Sequence, residues 1–528
     1  MKILYVNPSR LEAGLDAIVK AQPLSLISIA AMVPEHDAKL IDFKIKDYSE
    51  KKFYRILNNH DVVAISSMTP QIYSAFEVAQ MAKKAGCTTI LGGYHPTLAP
   101  DFIASHPAVD FTVRGEGEHT FKEIINYIDD NRNDKFKLKN IKGISYKEND
   151  SRVKHNADRP LECNLDVFPL PRRDLIKEKN YHYLGTRLTP LESSRGCPHS
   201  CKFCCITKMW KDPSQKIVYR SKSLKRVMEE IYDVNWKNDF VFFCDDNFTI
   251  QIKRTKKILE TIIQSGISNK IYLSCQSRID TLYRNQWMMD LMQQAGMRQI
   301  FLGIESVHQQ SLNAMNKRNT TPEMTQKVIK MLQDRGISTF GGIILGFPGE
   351  TKTMVRQTIN FAKSLKLSCV QFTPITAFPG TEFYEEMKKE GRITSNNFKH
   401  YNLFNTMMNT NKLTSKELYR LVVEAYSAYY LYNYDWLKML SRRYLNPFGK
   451  FNWMIFRVPQ FIKNVLRGGL RMLHTQGIAI SNVSEELKQI INMGHIKQVP
   501  DGIEENNIKN PLLTSQGIKS IPLIEIKQ

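Results

Sequence analysis

Short strand-like runs, rich in apolar and β-branched residues, recur along the first 130 residues, at 3–6, 38–43, 62–66, 88–91 and 110–113. Stretches with apolar positions three and four apart separate them, most clearly at 72–85 and 118–127. Runs of this length, alternating with helical periods, predict strands joined by helices and therefore an open, doubly wound parallel sheet. Ligands of such sheets bind beyond the carboxyl ends of the strands. Those ends carry Asn7-Pro8, then Ser66-Ser67-Met68-Thr69, then Gly92-Gly93-Tyr94-His95-Pro96-Thr97, then Arg114-Gly115-Glu116-Gly117-Glu118. The glycines among them let a flat ligand approach the backbone.

Residues 141–157 read as a short hairpin, and 158–190 as an extended linker whose Pro160, Pro169 and Pro171 restrict their neighbours to extended conformations. From about 190 to 390 the alternation resumes, with six candidate strands, which predicts a partial barrel of six strand–helix units. The run at 240–244 leads into Asp245-Asp246-Asn247, that at 271–275 into Gln276-Ser277-Arg278, and that at 300–302 into Gly303-Ile304-Glu305. The run at 339–345 contains Gly341 and Gly342 and leads into Gly346 and Glu350-Thr351, where helix capping is the simpler reading. Barrels of this kind present their chemistry at those carboxyl ends. After 400 the pattern turns helical, and Thr414 with Glu417 forms a capping box before the apolar stretch 418–432. The expected organisation is a first domain at 1–140, hairpin and linker at 141–190, barrel at 191–400, a helical basic and aromatic region at 401–475, and a partly disordered tail at 476–528.

A length of 528 residues suits two to four domains. Nine cysteines without paired spacing, and no apolar leader after Met1-Lys2, point to a reduced cytoplasmic setting. No run approaches 18 apolar residues, so no membrane span is expected. The net charge of +22 admits an anionic surface, nucleic acid or an anionic substrate. Residues 436–475 hold eight Lys or Arg and no Asp or Glu, interleaved with Trp436, Tyr444, Phe448, Phe451, Trp453, Phe456 and Phe461. Three roles suit that composition: peripheral contact with a lipid surface, an amphipathic cap over the barrel, and single-stranded nucleic acid binding.

The sharpest chemical signal is SSRGCPHSCKFCC, which sets Cys197, Cys201 and Cys204 at the spacing C-x-x-x-C-x-x-C. Three thiolates hold three irons of a four-iron cube and leave the fourth open for a ligand. Zinc is the alternative. It needs a fourth Cys or His, and His199 is the only zinc-type ligand at hand besides the adjoining Cys205.

This triad, with Phe203 before its last cysteine, resembles the signature of radical S-adenosylmethionine enzymes. The resemblance implies a [4Fe-4S] cluster on Cys197, Cys201 and Cys204, whose open iron chelates S-adenosyl-L-methionine and cleaves it to a 5'-deoxyadenosyl radical. It places Asp245 and Asp246 at the amino group, Arg278 and Glu305 near the carboxylate and ribose, and Gly342 and Gly346 against adenine. The competing reading of Asp245-Asp246 is helix capping. SSMT, GGYHPT and RGEGE resemble the cobalamin-binding domain fused to one large branch of these enzymes, and imply cobalamin contacts from Ser66, Ser67, Thr69, Gly92, Gly93, His95, Arg114, Gly115 and Glu116. The linker resembles that branch's connector of two prolines followed by Asp-Leu. The better known D-x-H-x-x-G motif is missing, because the loop after the first strand reads NPSRLEAGLDA; this is usual for the branch and fits base-off cobalamin without a histidine ligand, and His95 reads as a loop or tail contact, with an iron or cobalt ligand as the alternative. A cobalamin-free relic of the fold, or a flavodoxin-like module, is the alternative.

Relatives of this architecture include hopanoid C-methylases, the anaerobic magnesium-protoporphyrin ester cyclase and archaeal tetraether ring synthases. The implied reaction is C-methylation or radical carbon–carbon bond formation on a hydrophobic, lipid-like substrate, with a low-potential ferredoxin or flavodoxin as electron donor. The competing activity is that of a tRNA methylthiotransferase. That reading expects three more cysteines in the first domain, where only Cys87 stands, and nucleic acid is not expected as a partner.

Overall fold

The computed structural model describes residues 1–430, apart from 10–18, 131–134, 150–151, 178–180, 184–185, 212–215, 217 and 235–239. The expected basic and aromatic region at 436–475 and the tail at 476–528 lie outside the described residues.

The first sheet runs in the order β2-β1-β3-β4-β5-β6-β7. β1 (Lys2–Asn7), β2 (Asp37–Asp42), β3 (Val62–Ser66), β4 (Thr88–Gly92) and β5 (Phe111–Val113) are parallel. β6 (Ile144–Asn149) and β7 (Arg152–His155) add an antiparallel hairpin at the edge, where the sequence called for one. Strand alternation gives the sheet two apolar faces. Leu4, Val6, Val63 and Ile65 pack with the helix Ile72–Lys84, while Ile3, Tyr5, Val62 and Ala64 pack with the helices Leu24–Ala30 and Gly117–Asp129. The reversal of strand order lies between β1 and β3, so the ligand crevice opens there, beside the loops after β3 and β4.

A short edge strand, β8 (His182–Tyr183), leads into β9 (Thr186–Leu191). β9, β12 (Phe240–Phe243), β13 (Tyr272–Ser277), β14 (Met297–Glu305), β15 (Ser338–Leu345) and β16 (Cys369–Pro374) form six parallel strands in sequential order. Two further short strands, β10 (Ser194–Arg195) and β11 (Arg220–Ser221), pair antiparallel and close the stem of the cysteine loop. The linker expected at 158–190 is shorter than that, because β8 and the start of β9 already belong to the barrel sheet. Thr186, Arg187, Thr189 and Pro190 hide an apolar run, although β9 is hydrogen-bonded on both sides.

The barrel's crossover helices cover one face, where Leu302, Ile304, Ile343 and Leu345 join the largest apolar core. The alternate positions point to the concave face. Phe301, Gly303 and Glu305 on β14, and Phe340, Gly342 and Ile344 on β15, remain partly exposed there.

Beyond β16 the chain returns to the first sheet, where Phe398, Tyr401 and Met407 join the core beside Phe76 and Ile103. Burial of a side chain such as Phe398 or Met407 contributes about 1.5–3 kcal/mol, so this return ties the two sheets together. The expected capping box is present: Thr414 Oγ1 accepts from the Glu417 amide at 3.3 Å, and the Thr414 amide donates to Glu417 at 2.9 Å. It opens the helix Ser415–Tyr430, which lies along β16: Tyr429 donates to the Leu367 carbonyl at 2.7 Å and Tyr430 to that of Val370 at 2.6 Å. Among the described residues no helix is long and apolar enough to cross a membrane.

Candidate functional site

The loops at the carboxyl ends of β3 and β4 form a cradle. Gly93 takes φ +107°, and a Cβ there would stand 2.8 Å from the Ser67 carbonyl oxygen, so no side chain fits between the two loops. Ser66 Oγ lies 3.1 Å from Ser25 Oγ, and Thr97 Oγ1 accepts from the Gly115 amide at 3.0 Å, which fastens the loop after β5 to the one after β4. Gly115 itself turns at φ +71°. Ser67 and Thr69 are buried. The Ser67 hydroxyl and both ring nitrogens of His95 have no hydrogen-bond partner. His95 is fully buried, edge-on to Phe398 at 4.5 Å and to Phe102 at 6.1 Å, and this apolar setting lowers its pKa to about 4. Orphaned buried polar groups are rare and costly. Three orphaned atoms beside a glycine-bared backbone fit a large ligand with amide and phosphate groups at this edge. Met68, 49% exposed between buried Ser67 and Thr69, offers that ligand an apolar contact.

Two of the expected corrin residues are already engaged. Arg114 donates to the Ile144 and Asn156 carbonyls, to Ser145 Oγ and to Asp158, and so staples β5 to the β6–β7 hairpin. Glu116 accepts from Arg195 and Arg220 on one oxygen and from the Glu162 amide on the other. Both were legible as motif residues, but their partners lie 30 or more residues away.

On the barrel side, Cys197, Cys201 and Cys204 are partly exposed on the loop between β10 and β11. The Cys204 amide donates to the Cys201 carbonyl at 3.1 Å, the Lys202 amide to Met315 at 3.2 Å, and Lys202 Nζ reaches Glu386 at 2.5 Å and Glu382 at 3.0 Å. Phe203 lies 6.1 Å from Phe347, so the aromatic between the cysteines packs against the turn after β15. Burial raises the pKa of all three thiols, and Lys317 and Arg278 pull that of Cys201 back down. Thiols without a metal favour the protonated form here, and cluster assembly must release those protons. Among the described residues no three His, Cys, Asp or Glu side chains converge on a single-ion site. Ligands on three separate corners of an iron–sulfur cube need no such convergence.

Asp245 and Asp246 do not cap the helix that follows. Asp245 is buried and accepts from the Ser193 amide at 2.7 Å and from the Ser193 and Ser194 hydroxyls at 2.6 Å each. Its oxygens brace the strand that enters the cysteine loop. Asp246 accepts from the Gly196 amide at 2.9 Å, and burial pushes its carboxyl up to about 7. Of the pair, Asp246 is the one beside the cluster loop. Arg278 pairs with Asp280 at 2.9 Å. Glu305 takes φ +64° and meets Lys317 Nζ at 2.5 Å, and that ammonium also donates to the Gly303 carbonyl at 2.8 Å. Lys317, next to Arg318 in a loop, belongs to no motif that the sequence displays; its burial beside Glu305 and Cys201 makes it a candidate for an anionic group of the cosubstrate. A Cβ on Gly342 would meet the Phe301 ring at 2.9 Å, whereas one on Gly346 would meet Leu418 at 2.5 Å. Gly346 therefore makes room for the C-terminal helix, and Gly342 faces the concave side. Glu350 braces the Gly346 and Phe347 amides, and Thr351 caps the helix Lys352–Ser364, as expected.

Two family models match the chain: the B12 binding domain over residues 17–125 and the radical SAM superfamily over 191–362. A methyltransferase of Pyrococcus horikoshii described as uncharacterised is 33% identical over 82% of this chain and 93% of its own. The anaerobic magnesium-protoporphyrin IX monomethyl ester cyclase of Cereibacter sphaeroides is 27% identical over 84% and 74%, and the hopanoid C-3 methylase of Methylococcus capsulatus 26% over 83% and 81%. In fold, the structure is similar to the cobalamin-dependent S-adenosylmethionine radical enzyme OxsB, with a TM-score of 0.66, 17% identity, and coverage of 93% of this chain and 75% of that one. The chain belongs to the radical SAM superfamily, in its cobalamin-binding branch. It is an enzyme whose cofactors are a [4Fe-4S] cluster, S-adenosyl-L-methionine and cobalamin.

Proposed function

We propose that this enzyme modifies an unactivated carbon of a hydrophobic, lipid-like ring substrate, by C-methylation or by radical carbon–carbon bond formation. The observation that carries this reading is the concave face of the barrel, where Phe242, Phe301, Phe340 and Ile344 stand partly exposed across β12, β14 and β15. An apolar, aromatic lining with a few polar groups at one end suits a large apolar ligand. The names of two relatives, a hopanoid methylase and a protoporphyrin ester cyclase, support the same substrate class.

In this reading Cys197, Cys201 and Cys204 hold the cluster, while Asp246, Arg278, Glu305, Lys317 and Gly342 hold the cosubstrate. Ser66, Ser67, Thr69, Gly92, Gly93, His95 and Gly115 hold the corrin. When bound, the reduced cluster would supply one-electron cleavage of the cosubstrate's sulfonium, and cobalamin would supply a transferable methyl group. Asp246 fixes the Gly196 amide, and hence the entry to the loop; the Lys317–Glu305 pair keeps a cation beside Cys201 without exposing it to water. Phe301 and Phe340 exclude water from the reacting carbon. A low-potential protein donor supplies the electron, and the basic segment 436–475 brings the enzyme to a lipid surface.

The test is anaerobic reconstitution with candidate polycyclic lipids, followed by product mass. A gain of one methyl assigns methylation, and a loss of two hydrogens assigns ring formation. Turnover confined to small polar substrates would overturn the substrate class.

A further inference from the structure

The antiparallel pair β10–β11 places Arg195 directly opposite Arg220, two like charges across a ladder. Such a pair is unfavourable alone. Two of its counter-charges, Glu116 and Glu118, come from the first domain. Arg195 uses each of its three nitrogens on a different carboxylate: Nε on Glu192 at 2.7 Å, Nη1 on Glu116 at 2.8 Å and Nη2 on Glu118 at 2.6 Å. Arg220 shares the same Glu116 oxygen at 2.8 Å. Lys222 continues the network to Glu230 at 2.5 Å, where Arg226 also approaches at 3.7 Å. The guanidinium of Arg195 is flanked by the rings of Phe168 and Trp210, and that of Arg220 lies over Trp210. Arg195, Arg220, Lys222, Glu116, Glu118 and Glu230 are all buried.

We propose that Glu116 and Glu118 form an ionic clamp that positions the cluster loop, so that this end of the cobalamin-binding domain serves the iron–sulfur site. Three observations support it. The oxygens of Glu116 are spent on Arg195, Arg220 and a backbone amide, with none turned to the corrin cradle. Arg195 is joined to Cys197 through Gly196 alone, and Gly196 is pinched so tightly that a Cβ would stand 2.1 Å from the Val218 carbonyl oxygen. Any movement of Arg195 therefore passes to the first cluster ligand. The network also sets Glu116, Glu118, Glu192 and Glu230 against Arg195, Arg220, Lys222 and Arg226, with Glu229 at its rim 3.5 Å from Arg226. Neutralising Glu118 removes one buried negative charge beside the loop, and net charge is one of the levers on cluster potential.

Glu118→Gln keeps the shape of the side chain and removes its charge. In the anaerobically reconstituted full chain, cluster affinity should fall by about tenfold or more, the range seen when groups that orient metal ligands are lost. The reduction potential of the remaining cluster should move to a more positive value, and the cobalamin dissociation constant should stay at the wild-type value, which also reports that the first domain is folded. Arg195→Lys, which keeps the charge but cannot reach three carboxylates, should weaken cluster retention without that rise in potential, and is read alone if Glu118→Gln does not fold. Wild-type iron retention and potential in Glu118→Gln, or a loss of cobalamin affinity with the cluster intact, would overturn the clamp.

Discussion

Gly196→Ala isolates the geometry of the cluster loop. The residue sits at φ +92°, between Arg195 of β10 and Cys197, and the added methyl would lie 2.1 Å from the Val218 oxygen and 3.2 Å from its carbonyl carbon. The left-handed conformation alone costs about 1–2 kcal/mol for a residue with a Cβ. The clash is the larger effect. A contact so far inside van der Waals range forces the loop stem apart by roughly 1 Å, and interiors at crystal-like packing density do not absorb that without loss. The β10–β11 ladder is only two residue pairs long, and each hydrogen bond given up costs about 0.5–1.5 kcal/mol. The sum of about 2–5 kcal/mol falls on the segment that sets Cys197. Gly115→Ala is the control, because φ there is +71° but no atom lies within 4 Å of the added Cβ, so it carries the conformational cost without the clash. Iron and sulfide per chain, counted after anaerobic reconstitution and desalting, should be near wild type for Gly115→Ala and strongly reduced for Gly196→Ala. Equal iron in the two variants would refute the reasoning.

Cys197→Ala, Cys201→Ala and Cys204→Ala should each abolish S-adenosylmethionine cleavage, while Cys205→Ala, at the N-cap of the helix Ile206–Met209, should retain the cluster; iron lost with Cys205 and kept without Cys204 would show the register to be wrong. His95 has a folded pKa of about 4 against 6.5 for the free side chain, so the native state binds fewer protons than the unfolded chain between those values. Stability should therefore be complete above pH 6.5 and fall as pH drops toward 4, by up to about 3 kcal/mol. In cobalamin-free protein, denaturant titrations from pH 7 down to 5 should show this loss in wild type and less of it in His95→Phe; parallel curves would remove the assignment. Co-sedimentation with anionic vesicles should depend on 436–475 and weaken with salt, as each Lys or Arg near such a surface contributes about 1 kcal/mol; binding indifferent to lipid charge would leave that segment a different role.

Much of the architecture was legible because strand runs such as 62–66 and 88–91 consist almost wholly of apolar and β-branched residues, and both faces of a doubly wound sheet are covered. β9 was not, since its threonines, arginine and proline conceal the apolar side. The cysteine triad could be read because its spacing is local. What the sequence could not supply was the fate of charges whose partners are remote: Asp245 bracing Ser193, Arg114 stapling the β6–β7 hairpin, Glu116 gripped by Arg195 across 79 positions. The aromatic residues Phe398 and Tyr401 gave no sign that they would pack against the opposite sheet. His95 stood in a recognisable motif, but only the fold shows that both its nitrogens are buried without partners.

The central claim is that one chain holds a three-cysteine cluster and a corrin at the carboxyl ends of its two sheets. Metal and corrin analysis of protein purified and reconstituted without oxygen tests it most directly. The account requires about four irons and one cobalamin per chain, with iron lost and cobalamin kept in Cys201→Ala. Zinc in place of iron, or a full iron complement with no cobalamin at saturating concentration, would contradict it.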